Sequence, residues 1–445
     1  MHTSPGHLLL LVHRIPYPPD KGDKIRSYNE LRFLARQGWK IHLCAFSEEA
    51  VPASHVRALE ELCETCRIFP LAGLRRKAIL AGALLRGKSL SVAAFYRRSA
   101  QRYVDDLLTA YPIRAVLCFC APMAEYVFRS LLNRESENSK ICTQQNTQIH
   151  DSTNQPVLVM DLVDVDSQKW ALYAQKHAGL RSWIYHLENT RLREYEESII
   201  RAFAATVVVS EAEARELRSR AEEPGRVRSM GNGVDLDFFS PQTGTRDAGR
   251  SSQCRIVFCG QMDYFPNIEA VTWFVHAILP ELKQMIPGVR FQVVGAGPGQ
   301  AVRGLASVEG VEVTGRVDDV RPYVHAADVS VAPIRTARGI QNKILEAMAS
   351  GKPVVATRQA FEGIEAEPGR DLVVVEENPR EFADAVARLC NEPETAAAVG
   401  RRARERMERE YSWQAQLAPL KELVCGRGLD ADWPPSDRDA GTGNP

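Results

Sequence analysis

The sequence predicts an α/β protein of two doubly wound parallel-sheet domains, and three observations carry that reading. In the first half, short apolar runs alternate with amphipathic segments: strands over 8–13, 40–46, 115–119, 157–162 and 206–210, with a helix over 24–37. The second half repeats the alternation, with strands over 255–260, 290–295, 311–314, 329–333 and 353–356. Between the halves, residues 240–253 are polar, hold Pro and Gly and lack apolar periodicity, so they read as a linker. Alternation of this kind means right-handed βαβ units and parallel sheets. Such sheets bind ligands beyond the carboxyl ends of their strands, so two of them facing a central cleft place the expected site between the domains.

Composition agrees with that size of protein and removes several function classes. With 445 residues, 44% hydrophobic and 25% charged, the chain is long enough for two separate cores. Its formal net charge of zero argues against a general nucleic-acid binder. Ten cysteines form no framework: Cys63 and Cys66 make one CxxC, and Cys118 and Cys120 are too close for zinc geometry. They read as reduced, mostly buried thiols, and neither a metal nor a cofactor is expected. The apolar run 8–12 is too short for a secretory signal and reads as a first strand. No run approaches the roughly 18 to 20 apolar residues that span a bilayer, so a cytoplasmic or peripheral protein is expected.

The most informative stretch is 338–357. Gly339 permits close approach of backbone to a ligand, and a helix starting near Ile340 or Gln341 points unpaired N–H groups and a positive dipole end at it. A diphosphate suits that place. Lys343 adds a full charge in the first turn, and Glu346, three residues on and on the same face, is placed to accept hydrogen bonds from ribose hydroxyls. Gly351, Lys352 and Pro353 stop the helix, and Val354, Val355 and Ala356 read as a buried parallel strand.

This stretch resembles the donor-binding motif of the retaining GT-B glycosyltransferases of family four: Glu, seven residues, Glu, then Ala-Met-Ala. Glu346 takes the place of the second glutamate and Arg338 that of the first. The resemblance continues through 16–24, 231–235 with Phe238, Phe239 and Pro241, 258–267, 293–298 and 313–319. Together with 161–170, these segments resemble one subgroup, the sugar transferases associated with exosortase (PEP-CTERM) exopolysaccharide systems of Gram-negative bacteria.

The resemblance implies the GT-B fold, two Rossmann-like domains facing a cleft. It implies an acceptor-binding domain over 1–235, a linker over 236–253, a nucleotide-sugar domain over 254–405 and a crossover helix over 406–425; residues 426–445, rich in Asp, Gly and Pro, read as a disordered tail. It also implies that Glu346 holds the ribose and Lys343 neutralises phosphate. The donor sugar falls to Arg338, Gly339, Ile340 and Gln341, and the nucleotide pocket is lined by Gly260, Gly295 and Arg316. The loop 261–267 lacks the Arg and Lys that the family places there, which puts more weight on Lys343 and Arg338. Gly295, Gly297 and Gly299 spell a GxGxG of the wrong spacing for a dinucleotide fingerprint and read as a strand-end turn.

In the first half, Gly22 resembles the glycine that approaches the donor phosphate. Asp20 and Lys24 flank it, and Asp161 and Asp164 follow a buried strand; all four are candidates for binding acceptor hydroxyls. Residues 75–102 hold eight Lys or Arg and no Asp or Glu, interleaved with apolar residues, which suits an anionic inner-membrane surface or a polyprenyl-diphosphate acceptor. The expected function is transfer of a sugar from a nucleoside-diphosphate donor, UDP-linked, to a lipid-linked or growing glycan, with retention. The alternatives are a catalytically silent nucleotide- or glycan-binding scaffold and a nucleotide-sugar epimerase.

Overall fold

The computed structural model describes residues 6–71, 76–132, 155–242, 254–336, 339–427 and 429. The chain divides into two compact units, one of residues 1–230 with 417–445 and the other of 231–416. Both are the expected parallel α/β sheets.

Unit 1 is built on seven parallel strands: β1 (His7–Val12), β2 (Lys40–Ser47), β3 (Thr65–Pro70), β4 (Ile113–Phe119), β5 (Val157–Val163), β6 (Ala205–Val208) and β7 (Val227–Ser229). Their order is β3-β2-β1-β4-β5-β6-β7. The central strand β1 has no polar alternation, since Leu8, Leu9, Leu10, Leu11 and Val12 are all fully enclosed by elements on both faces. The edge strands β3 and β7 have no such run, which is why apolar patterning misses them. The C-terminal helix Ala418–Val424 belongs to this unit and packs on β4 and β5 through Leu420, Leu423 and Val424.

Unit 2 has six parallel strands: β8 (Arg255–Cys259), β9 (Arg290–Val294), β10 (Val311–Gly315), β11 (Val329–Ala332), β12 (Val354–Thr357) and β13 (Val373–Val375). The order is β10-β9-β8-β11-β12-β13. Here the edge strand β13, three residues long, is the one that patterning misses. At the core, Phe274 stacks on Phe291 with ring centroids 4.1 Å apart and meets Phe382 edge-on at 6.2 Å.

Several expectations need correction. The boundary between units falls at Met230 and Gly231, before the expected linker, of which 243–253 lie outside the described residues. The helix Pro393–Glu410 remains in unit 2, and the chain returns to unit 1 only at Leu417. Most of the expected tail lies outside the described residues. The cysteines are not all reduced: Cys254, just before β8, is bonded to Cys390 near the end of the helix Pro379–Asn391, with Cα atoms 5.9 Å apart. Their separation of 136 residues hides the pair from any reading of local spacing.

Replacing Phe274 with Ala removes a fully buried ring from the centre of unit 2. Its expected cost is about 3 to 5 kcal/mol, read as a lower urea midpoint for the unit 2 transition.

Candidate functional site

The strand order of unit 2 reverses between β8 and β11, the position at which open α/β sheets carry ligand crevices. Three backbone segments meet there. Gly260 follows β8, and a Cβ on it would fall 2.8 Å from Nδ2 of Asn267 and 3.4 Å from Cε of Lys343. Gly295 follows β9 with φ +148°, where a side chain would collide with the carbonyl of Gly260. Gly339 lies in the loop after β11 with φ +68°, a left-handed conformation that glycine adopts without strain.

The helix Asn342–Ala349 begins after Gln341, whose extended backbone forms the N-cap without a side-chain cap. Ile344, Leu345, Ala347 and Met348 are buried, so the apolar packing of this short helix fixes where positions 343 and 346 point. Its end follows the glycine stop read from the sequence: Gly351 has φ +69°, and Lys352 N–H donates to the carbonyl of Ala347 at 3.0 Å.

Lys343 Nζ donates to Oδ1 of Asn267 at 2.9 Å and to Oε1 of Gln341 at 3.2 Å, and it lies 5.1 Å from the centre of the Phe258 ring. Asn267 is itself held through its Nδ2, which donates to the carbonyl of Gln261 at 2.8 Å. Among the described residues, the Glu346 carboxylate has no hydrogen-bond partner. Burial pushes Lys343 down to about 8, with Glu346 and Cys259 opposing the shift. Burial pushes Glu346 up to about 7, opposed by Lys343. A cation and a carboxyl group that both titrate near neutrality, on one helix face in a crevice, mark a site able to take charge from a ligand.

Asn267 is the residue whose part here sequence reasoning missed: it is uncharged, and only the fold brings it against a lysine 76 positions away. Gln341, expected at the donor sugar, accepts from Lys343 as well. Ile340 is half-buried beside the helix start, and Arg316 is exposed after β10. Arg338 lies outside the described residues.

In unit 1, Gly22 opens the helix Gly22–Arg36. Asp20 and Lys24 pair with each other at 2.6 Å. Asp161 departs from its expected place among groups offered to an acceptor. It is fully buried, takes a 2.7 Å hydrogen bond from Nε of Arg26, and accepts from the N–H of Val163 at 2.7 Å. Glu30 completes this sealed cluster at 3.5 Å from Arg26 Nε; burial and the charge of Asp161 hold its carboxyl well above the usual range. The role of Asp161 is therefore to compensate a buried guanidinium. Asp164 remains partly accessible and is pushed up to about 6 by burial and by Asp166.

The raised Glu346 has a definite sign in stability. Its folded value of about 7 exceeds the ordinary 4.5, so the stability it confers is complete below pH 4.5 and is lost as pH rises through about 7. Glu346→Gln should remove that fall, worth roughly 3 kcal/mol at most. Urea unfolding of both proteins at pH 5 and pH 8 measures it.

Residues 253–392 match the family model described as Glycosyl transferases group 1. The phosphatidyl-myo-inositol mannosyltransferase of Mycolicibacterium smegmatis is 29% identical over 249 residues, covering 54% of this chain and 61% of that relative. The chain thus spans less than two thirds of that relative's length. Among solved structures, the sucrose-phosphate synthase of Thermosynechococcus elongatus superposes with a TM-score of 0.65 at 20% identity, over 94% of this chain and 98% of its own. Anabaena Alr3699/HepE, in complex with UDP and glucose, gives 0.64 at 14% identity, over 94% and 98%. The chain therefore has the GT-B fold, and its match to the glycosyl transferases group 1 model lies in residues 253–392.

Proposed function

We propose that the protein transfers a sugar from a nucleoside-diphosphate donor, UDP-linked, to a lipid-linked or growing glycan. The observation that carries this reading is the crevice at the β8/β11 reversal, where Lys343 and Glu346 share one helix face inside the segment that matches the family model. Lys343, held by two neutral amide oxygens, keeps its charge for a diphosphate, and the N–H groups of the uncapped helix start reinforce it. Glu346 has acceptor capacity left for ribose hydroxyls. Gly339, Ile340, Gln341 and Arg338 are assigned to the donor sugar, Gly260, Gly295 and Arg316 to the nucleotide, and Asp20, Lys24 and Asp164 to the acceptor.

The choice of UDP is supported by the neighbour of similar fold that holds UDP and glucose, and a lipid-linked acceptor by the relative that is a phosphatidyl-myo-inositol mannosyltransferase. Retention at the anomeric carbon and a place in exosortase-associated exopolysaccharide synthesis rest on the motif resemblance. In the reaction, the bond from the anomeric carbon to the diphosphate breaks with its electron pair going to the diphosphate oxygen, a bond to the acceptor oxygen forms, and the acceptor hydroxyl's proton passes to the departing diphosphate. Positive charge at Lys343 stabilises the departing diphosphate. A silent nucleotide-binding scaffold is the second reading, favoured by Arg338 at the motif's first glutamate position and by a loop 261–267 without Arg or Lys.

Calorimetry with UDP, GDP, ADP and NAD, with and without magnesium, tests the donor site. UDP should bind, and Glu346→Ala should weaken it about tenfold to a hundredfold, the scale of lost hydrogen bonds to a charged group. Binding without UDP release in the presence of any acceptor would favour the scaffold.

The segment 75–102 is proposed to touch an anionic membrane. In the structure Leu85, at the end of the helix Arg76–Leu85, is 88% exposed. Arg191 of the helix Leu180–Ala202 donates to the carbonyls of Leu84 and Lys88, and that second helix exposes Leu180 and Trp183. Exposed apolar groups beside a basic stretch suit an interfacial surface. Reversing Arg75, Arg76 and Lys77 to Glu should weaken co-sedimentation with phosphatidylglycerol vesicles about 100-fold or more, at ~1 kcal/mol for each basic residue.

A further inference from the structure

Three positions of the helix Asn342–Ala349 are not buried, and the donor reading uses two of them. Ile344, Leu345, Ala347, Met348 and Ala349 pack inward, which leaves Asn342, Lys343 and Glu346 as the outer stripe. Asn342 stands four residues before Glu346, so it lies on the same face, one turn nearer the helix start. A ligand held by both Lys343 and Glu346 lies along the stripe that Asn342 begins.

Nothing in the helix itself calls for asparagine there. Asn is a weak helix former, and its favoured place at a helix start is the N-cap, where its oxygen takes a backbone N–H. Here the N-cap is Gln341, and Asn342 is the first helical residue. Its oxygen is engaged elsewhere: Oδ1 accepts from Nδ2 of Asn232 at 3.0 Å. With that oxygen held, the carboxamide is oriented, and Nδ2 of Asn342 keeps two N–H groups. These have no hydrogen-bond partner among the described residues, and the residue is partly open to solvent.

Asn232 is suited to hold an amide still. It is 6% exposed, in the segment at which unit 2 begins. Val234 N–H donates to the carbonyl of Tyr411 at 2.7 Å, and Gly233 runs so close to Trp413 that a Cβ would fall 2.7 Å from its backbone nitrogen. A Cβ on Gly231 would stand 3.7 Å from Cδ1 of Ile340, so the same anchored segment also passes the loop that leads into the helix.

A primary amide with its oxygen occupied offers donors and no charge, so the ligand atom it takes is an acceptor oxygen. Phosphate oxygens and sugar hydroxyls both qualify. Beside Lys343, in a crevice whose loop 261–267 supplies no Arg or Lys, two further N–H groups add direction to the hold on an anion.

We propose that Asn342 binds an oxygen of the nucleoside-diphosphate sugar through Nδ2, and that Asn232 is the positioning residue that turns this amide outward. The inference rests on the glycosyl-transfer reading above. The oxygen belongs to the diphosphate or to the sugar, and the two sources separate in binding.

The test is calorimetry on the full chain with UDP and with UDP-glucose. Asn342→Ala should weaken binding about tenfold to a hundredfold, the scale of a hydrogen bond to a charged group. Asn342→Asp keeps the shape and the acceptor for Asn232 but exchanges the N–H groups for a charged oxygen. It should weaken binding at least as much, with a urea midpoint no lower than that of the wild type, since an acidic residue suits the first turn of a helix. Equal losses for UDP and UDP-glucose assign the oxygen to the diphosphate, and a loss confined to UDP-glucose assigns it to the sugar. Asn232→Ala should weaken binding about tenfold, yet add nothing in the Asn342→Ala background, because it acts through that amide. Equal losses in both backgrounds would mean a merely structural Asn232 and overturn its positioning role.

A wild type that binds neither probe would overturn the donor site as a whole. A wild type that binds both, matched by the two Asn342 variants, would overturn this inference and leave the donor site standing. Where Asn342→Ala does not fold, Asn342→Asp decides. Nitrogen-15 labelling of asparagine adds a second readout: UDP-glucose should shift the side-chain NH2 pair of the wild type that is missing from Asn342→Asp. A pair that stays in place at saturating UDP-glucose would likewise overturn the inference.

Discussion

A parallel sheet that adds strands on both sides of a central one must send its connections to opposite faces, and neither layer of helices fills the point of divergence. Both units obey this constraint, unit 1 between β1 and β4 and unit 2 between β8 and β11. The helix Asn342–Ala349 shows how the gap becomes a site. Its apolar positions are buried, which leaves residues 343 and 346 on the face turned away from that packing. No loop has to hold Lys343 and Glu346 in place; the core of unit 2 does so through the helix.

The two units treat charge in opposite ways. In unit 1, Arg26 and Asp161 are withdrawn fully from solvent and pair with each other. Removing either partner alone would leave an uncompensated buried charge, so the pair constrains the strand ends around it without presenting anything to a ligand. In unit 2, Lys343 and Glu346 retain some solvent contact, and their ionisation is drawn toward neutral pH. A diphosphate near Lys343 would favour its charged form, and hydroxyls donating to Glu346 would favour the carboxylate, so the proposed donor binding would be coupled to protonation.

How far the sequence could be read depended on whether a feature had a period or a local signature. The central strands announce themselves because burial on both faces demands continuous apolar runs, as in Leu8 to Val12. The helix carrying Glu346 was visible from its three-residue spacing and its glycine stop. The edge strands β3, β7 and β13 were not, since a short strand with few enclosed residues carries no period. Asp161 was misplaced because a carboxylate near a strand end reads alike whether it faces a ligand or a buried arginine 135 residues earlier. Cys254 with Cys390, and Asn267 with Lys343, are likewise meetings of distant positions that only the fold arranges.

The identity of the groups around Lys343 bears on the departures from the family pattern. Arg and Lys are missing from the loop 261–267, and an arginine stands at the motif's first glutamate position. A site with fewer cations in that loop has to conserve the charge it has. Had Asn267 or Gln341 been a carboxylate, Lys343 would be oriented equally well but neutralised, and its burial would be less unfavourable. Neutral amide oxygens orient the ammonium and leave its field intact. The lowered value of about 8 comes from burial, which Glu346 and Cys259 only partly oppose, and the incompletely compensated cation it leaves in the crevice is one that the proposed diphosphate would complete.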